Sequence, residues 1–193
     1  MRKALLSLMG CLVALMAFAK ETIDPKYGVG AVPVDENGTV CFQTEIEIPS
    51  SMSADECYQK LMQWAKGRFS MPYAQAGRIL NEDAQSHRFI FHVDQLLVFK
   101  RTAVVADESR IEYNFQAVIN NGKITLKMTD IKYRYEEGRE GGGSRFTAED
   151  WITDKEAFNA KKTKFLKRTG KFRIKTIDLK DMLFDNAKDF INE

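Results

Sequence analysis

The chain has 193 residues, and 29 Lys and Arg against 27 Asp and Glu leave a formal net charge of +2. That balance excludes the strongly basic class of nucleic-acid binder. With 44% hydrophobic residues, the chain is suited to one globular domain with its own core.

Residues 1–19 read as a signal peptide. Arg2 and Lys3 precede an apolar run from Ala4 to Met16, and Ala17-Phe18-Ala19 supplies the small residues at which a signal peptidase cuts. The mature chain then starts at Lys20 and is exported, to the periplasm or beyond. The run is shorter than the roughly 20 residues a membrane helix needs, and no later stretch is long and apolar enough, so no transmembrane segment is expected in the mature chain. Leu8-Met9-Gly10-Cys11 resembles a lipobox. Lipoprotein processing there would leave Leu12 to Phe18 as an apolar tail, which makes anchoring through Cys11 the weaker alternative. Cys41 and Cys57 remain, and nothing in the sequence brings their Cα atoms within the roughly 4.4 to 6.8 Å of a disulfide, so they are read as separate thiols.

After an N-terminal tail over residues 20–30, a single domain is expected over residues 31–193. Ala31 to Val34 and Thr39 to Ile48 flank Asp35-Glu36-Asn37-Gly38, a hairpin signal because Asn-Gly tolerates positive φ. Val40, Phe42, Ile46 and Ile48 alternate with polar residues until Pro49. Ser53 and Glu56 form a capping box that opens a helix with Cys57, Leu61, Trp64, Ala65 and Phe69 on its core face. Arg78 to Asn81 and Arg88 to Val93 read as paired strands, and Leu96 to Phe99, continuing toward Val105, as a further strand kinked near Asp94-Gln95, where the alternation slips.

Ile111, Tyr113, Phe115, Ala117 and Ile119 give the clearest alternation, and Asn121-Gly122 turns the chain into Ile124, Leu126 and Met128. The apolar phase then jumps to Ile131, Tyr133 and Tyr135, which requires a β-bulge near Thr129-Asp130. Residues 136–145, with Gly141-Gly142-Gly143, carry no core-forming side chain and read as a mobile loop. Two helices are expected to follow: Asp154 to Lys167, ended by Gly170, and Asp178 to Ile191. Phe172 to Thr176 between them reads as extended.

Catalytic patterns are weak. His87 and His92, five residues apart on one strand, point to opposite faces and cannot share a metal or a proton relay. Cys57 occupies a core helix position, where a thiol is usually inert. Gly28-Val29-Gly30 precedes a strand, the wrong context for a dinucleotide loop. No cofactor, metal or catalytic residue is assigned, and no enzyme activity is expected.

Several stretches together resemble a family of uncharacterised exported bacterial proteins, common in gut anaerobes and described as a domain of unknown function with a TATA-binding-protein-like fold. They include residues 34–40, Glu47-Ile48-Pro49, residues 53–56 with Trp64-Ala65, Arg78-Ile79-Leu80, residues 110–113, residues 131–135, residues 148–155 and residues 170–178. The resemblance implies a fold and a compartment, and it implies no site residues. Both it and the patterning point to an α+β domain: one curved antiparallel sheet with helices packed on one face.

The function expected is that of a non-enzymatic binding or interaction module of the cell envelope, whose partner is a protein or another envelope component. Gln43, Glu45, Glu112, Asn114, Gln116 and Lys127 would make up its open polar sheet face. The alternative is a carrier of a small apolar or anionic ligand between helices and sheet, lined by Tyr113, Tyr133, Tyr135 and Trp151. Lys161, Lys162, Lys164, Lys167 and Arg168 crowd one segment. They are read as a solvated helix face or an internal complement to Glu45, Glu47 and Asp55, and otherwise as a face for an anionic partner.

Overall fold

The computed structural model describes residues 23–138 and 141–193, so the assigned signal peptide lies outside the described residues. Six strands form one antiparallel sheet: β1 (Phe42–Glu47), β2 (Ala76–Asp83), β3 (Arg88–Arg101), β4 (Ala106–Asn120), β5 (Lys123–Tyr135) and β6 (Ser144–Thr147). The spatial order is β1-β5-β4-β3-β2, and β6 pairs with β5 beyond the end of β1. Helices α1 (Ala54–Arg68) and α3 (Thr169–Asn192) pack on one face, and the single turn α2 (Asp154–Ala157) lies beside α3.

The alternating residues make the core. Phe89, Phe91, Val93 and Leu97 from β3, Ile111 to Ile119 at every second position of β4, and Ile124, Leu126 and Met128 from β5 are all buried beneath the helices. Asn121 and Gly122 turn at φ 51° and 77°, positive at both central positions as this hairpin requires. The β-bulge is where the phase jump demands it. Asn114 opposes Thr129 and Glu112 opposes Lys132, so Tyr113 alone spans Asp130 and Ile131, with Asp130 at φ 54°.

The expected kink at Asp94-Gln95 does not occur. β3 runs straight through, and Gln95 is a buried member of the inward row, its Oε1 accepting a 3.0 Å hydrogen bond from the Tyr113 hydroxyl. A polar residue in an apolar row mimics a change of phase. The real irregularity lies at Phe99, between Val98 opposite Glu108 and Lys100 opposite Asp107. The first hairpin is also shorter than expected. Val34 and Val40 form an isolated bridge around the Gly38 turn, and the strand that follows starts at Phe42 and pairs with β5 instead.

Ser53 caps α1 as read: its backbone N–H reaches Glu56 at 2.8 Å and its hydroxyl accepts from Glu56 N at 3.2 Å. The C-terminal helices differ from expectation. Helix α2 stops at Ala157, because the Asn159 side chain accepts from the backbone of Thr163 and Lys164 and so competes with helix continuation. Gly170 does not end a helix but lies in the first turn of α3: a Cβ there would sit 2.5 Å from Phe165 Cβ, so the glycine admits a close approach. Phe172 to Thr176 is helical, with Phe172, Arg173 and Thr176 buried. Its alternation of apolar and basic residues is overridden by packing on the sheet. The glycine-rich loop gives way to β6 at Ser144, and Arg145 pairs with Arg134.

The segment read as an N-terminal tail is pinned to α3. Lys26 and Tyr27 both bond Asp178, at 2.8 and 2.6 Å. The fully buried Arg173 guanidinium donates to the carbonyls of Tyr27 and Ile152 at 2.8 Å each, also to the Gly28 carbonyl, and pairs with Asp154 at 2.9 Å. Cys41 and Cys57 are both free thiols.

Candidate functional site

The face of the sheet away from the helices has no element over it among the described residues. Gln43, Glu45, Glu112, Asn114, Gln116 and Lys127 all stand on it in register: Gln43 opposes Lys127, which opposes Gln116. Each residue is the outward neighbour of a buried one, so strand alternation alone places it there.

Three residues outside that expected set organise the face. Asp94 on β3, only 13% exposed, accepts from Arg110 Nε at 2.9 Å and from Arg134 Nη2 at 2.6 Å. Arg134 also pairs with Glu112 at 2.7 Å and Glu137 at 3.1 Å. Beside them His92 Nδ1 is 3.0 Å from Asn114 Oδ1, and Asn114 Nδ2 donates to Asp130 at 3.2 Å. The continued alternation of β4 back to Arg110, and of β5 past its bulge to Lys132 and Arg134, carries the signal for two of the three; Asp94 was obscured by the apparent slip at Gln95. Arg134 is the wall between two concavities. One of about 590 Å³ includes Leu96, Glu108, Arg110 and Glu137, and one of about 200 Å³ includes Glu112, Lys132, Arg145, Thr147 and Asp150.

Such interlocked, partly buried charges lose little further freedom on binding, and they offer donors and acceptors at fixed positions. A nucleophile–base pair is absent from the arrangement. Cys57 lies in α1 on the opposite side of the sheet from His92, and burial pushes its thiol up to about 11. His87 is not on the strand with His92 but in the turn before β3, at φ 45°, where it bonds Asp55 at 2.6 Å on the helix side, so the two histidines are apart for a different reason from the one expected.

The four residues expected to line a cavity are used in packing. Tyr113 is fully buried with its hydroxyl on Gln95, and Tyr133 is fully buried with its hydroxyl 2.8 Å from Thr176. Burial pushes both phenols above the ordinary tyrosine range. Tyr135 bonds Asp107 at 2.9 Å and accepts from Lys171 at 2.8 Å, while Trp151 stacks on Phe146 with centroids 3.6 Å apart.

Lys161, Lys162, Lys164, Lys167 and Arg168 lie on the loop between α2 and α3, not on a helix face. The carboxylates proposed to complement them are engaged elsewhere: Glu45 and Glu47 by Lys123 at 3.0 and 3.7 Å, and Asp55 by His87. Lys162 reaches Asp154 at 3.8 Å, and Arg168 lies over the Tyr135, Phe146 and Trp151 rings.

Comparison with known proteins agrees with this architecture. Residues 42–134, which span β1 to β5 and nearly all of the open face, match the family model described as a domain of unknown function, DUF4468, with TBP-like fold. The strand-rich part of the chain is DUF4468-like. A DUF4468 family protein from Bacteroides ovatus, known from its crystal structure, is 28% identical with a TM-score of 0.79, over 90% of this chain and 97% of that one. A TBP-like protein from Parabacteroides distasonis shares the fold at 20% identity and a TM-score of 0.67, over 84% of this chain and 97% of that one. Among curated proteins nothing matches the chain. The DUF4468 match ends at Arg134, so the loop, β6, α2 and α3 lie beyond it, and the larger structural overlap extends the likeness into that region. No helix among the described residues is long and apolar enough to cross a membrane.

Proposed function

We propose that this DUF4468-like chain is exported and acts as a non-enzymatic binding module of the cell envelope, with the open sheet face as its docking surface. One observation carries the reading: Asp94, Arg110, Glu112 and Arg134 form a fixed, half-buried charge network on a face that nothing in the described chain covers. A fold needs such a network far less than an interface does, because the core is complete on the other side. The carrier alternative draws no support from its expected lining, since Tyr113 and Tyr133 bond to other core residues.

Native mass spectrometry of the mature protein purified from its own host tests this. A retained protein or envelope component is expected, released when Gln43 and Gln116 are both changed to Arg at unchanged melting temperature. Retention of the same partner by that double variant counts against the open face. The same spectrum reads the processing step: a mature mass starting at Lys20, unaltered by Cys11→Ala, is expected, whereas acyl mass on Cys11 means lipid anchoring.

A further inference from the structure

One end of the molecule combines exposed aliphatic side chains with cations that have no carboxylate partner among the described residues. At the β3–β4 turn Val104 is 90% and Val105 49% exposed. The turn is tightly closed: Thr102 N donates to Val105 O at 2.8 Å, and Val105 N to Thr102 Oγ1 at 3.1 Å. The valines are therefore held outward by a fixed turn.

The end of the basic loop that enters α3 lies at the same end, with Arg168 over the Tyr135 ring. Phe99, three residues before the turn, packs on Phe172 at 4.5 Å between centroids and has its ring centroid 4.4 Å from Lys171 Nζ, which places the start of α3 beside the strand end that leads into the turn. The loop runs directly into α3. It is also held in shape, with Leu166 N bonded to Ala157 O at 2.8 Å and Phe158 stacked on Phe165 at 4.8 Å, and it exposes Leu166 by 44%.

The carboxylates at this end are occupied: Asp107 by Lys171, Glu108 by Arg101, Glu137 by Arg134, Asp154 by Arg173, and Glu156 by Lys155. Among the described residues, Lys100, Lys161, Lys164, Lys167 and Arg168 have no carboxylate within ion-pair distance. Aliphatic tips ringed by unpaired cations match the two components of peripheral membrane binding, apolar insertion and attraction to anionic head groups.

We propose that this end docks on an anionic lipid bilayer, with Val104, Val105 and Leu166 entering the head-group region and the five cations holding lipid phosphates. An acidic polysaccharide would meet the same charge, but it gives no reason for three outward aliphatic side chains. The surface adjoins the open sheet face at Val105, which also lines the concavity beside Arg110 and Arg134, but the substitutions that test it touch neither Gln43 nor Gln116, so failure of one reading is distinguishable from failure of the other.

Co-sedimentation of the mature protein with vesicles of phosphatidylcholine containing roughly one-third phosphatidylglycerol tests the proposal, against pure phosphatidylcholine vesicles and an acidic polysaccharide resin. Binding to the anionic vesicles alone is expected, and it should fall steeply as salt rises. Each lysine near an anionic surface contributes roughly fivefold, so changing Lys161, Lys164 and Lys167 together to Ser should weaken binding on the order of 100-fold. Val104→Ser with Val105→Ser should weaken it about tenfold at unchanged melting temperature. A Val104→Trp variant should show blue-shifted emission on the anionic vesicles. Absence of vesicle binding, capture by the polysaccharide without vesicle binding, or vesicle binding indifferent to either set of substitutions would overturn the proposal. So would an unshifted Val104→Trp emission.

Discussion

At the scale of single residues, polar groups and glycines in packed positions decide the outcome. Gln95 is tolerated in the inward row because the Tyr113 hydroxyl donates to it. Tyr113→Phe should leave that carbonyl unsatisfied and destabilise by about 1–3 kcal/mol in denaturant unfolding, and adding Gln95→Leu should recover most of the loss. Gly170 makes an opposite-sign case to the usual helix rule. Alanine is ordinarily the better helix former by up to about 1 kcal/mol, yet the contact with Phe165 Cβ should turn Gly170→Ala into a loss of about 1–3 kcal/mol. The Cys57 thiol, pushed up to about 11 by burial, should resist alkylation at neutral pH until the protein unfolds, and labelling timed by mass spectrometry will show whether Cys41 reacts first.

At the scale of elements, the start of α3 joins the molecule through charge. Burial pushes the Asp107 carboxyl up, but hydrogen bonds from Lys171 and Tyr135 outweigh it and hold the group below the ordinary carboxylate value. A carboxyl lowered in the folded state contributes stability that is present above its unfolded pKa of about 4 and is lost as pH falls through its folded pKa. Thermal stability should therefore decline below about pH 4, less steeply in Asp107→Asn. In Lys171→Met, where burial acts without its main opponent, the decline should begin at higher pH. Strand β4 and α1 were legible because each repeats one period and ends in its own turn or cap signal, and β5 because its phase jump marks its bulge; β3 was legible only in part, since its reading broke at Gln95 and ran on past the Thr102–Val105 turn. Residues 154–176 were not. There the carbonyls gathered by Arg173 come from distant segments, and the Asn159 side-chain bonds and the Phe165 contact at Gly170 are local but specific to individual side chains, which a hydrophobic period does not report. The open face was legible in its middle, from Glu112 to Gln116. It was missed at Asp94, where the buried Gln95 imitated a break.

At the scale of the whole molecule, the sheet has one face closed by α1 and α3 and one face left polar, and the DUF4468 match covers the strands that build both. The sequence expectation of an antiparallel sheet with helices on one side holds throughout the described residues, while the readings for residues 1–22 concern export alone. Function on this account belongs to the uncovered face. Its most direct test is a photo-reactive benzoylphenylalanine placed in the host protein at Gln116 or Lys127, at the centre of that face, and at Asp189, exposed on α3. The account predicts a discrete cross-linked species from Gln116 and Lys127 and none from Asp189. Cross-links from Asp189 with none from the sheet face, or none from any position, would contradict it.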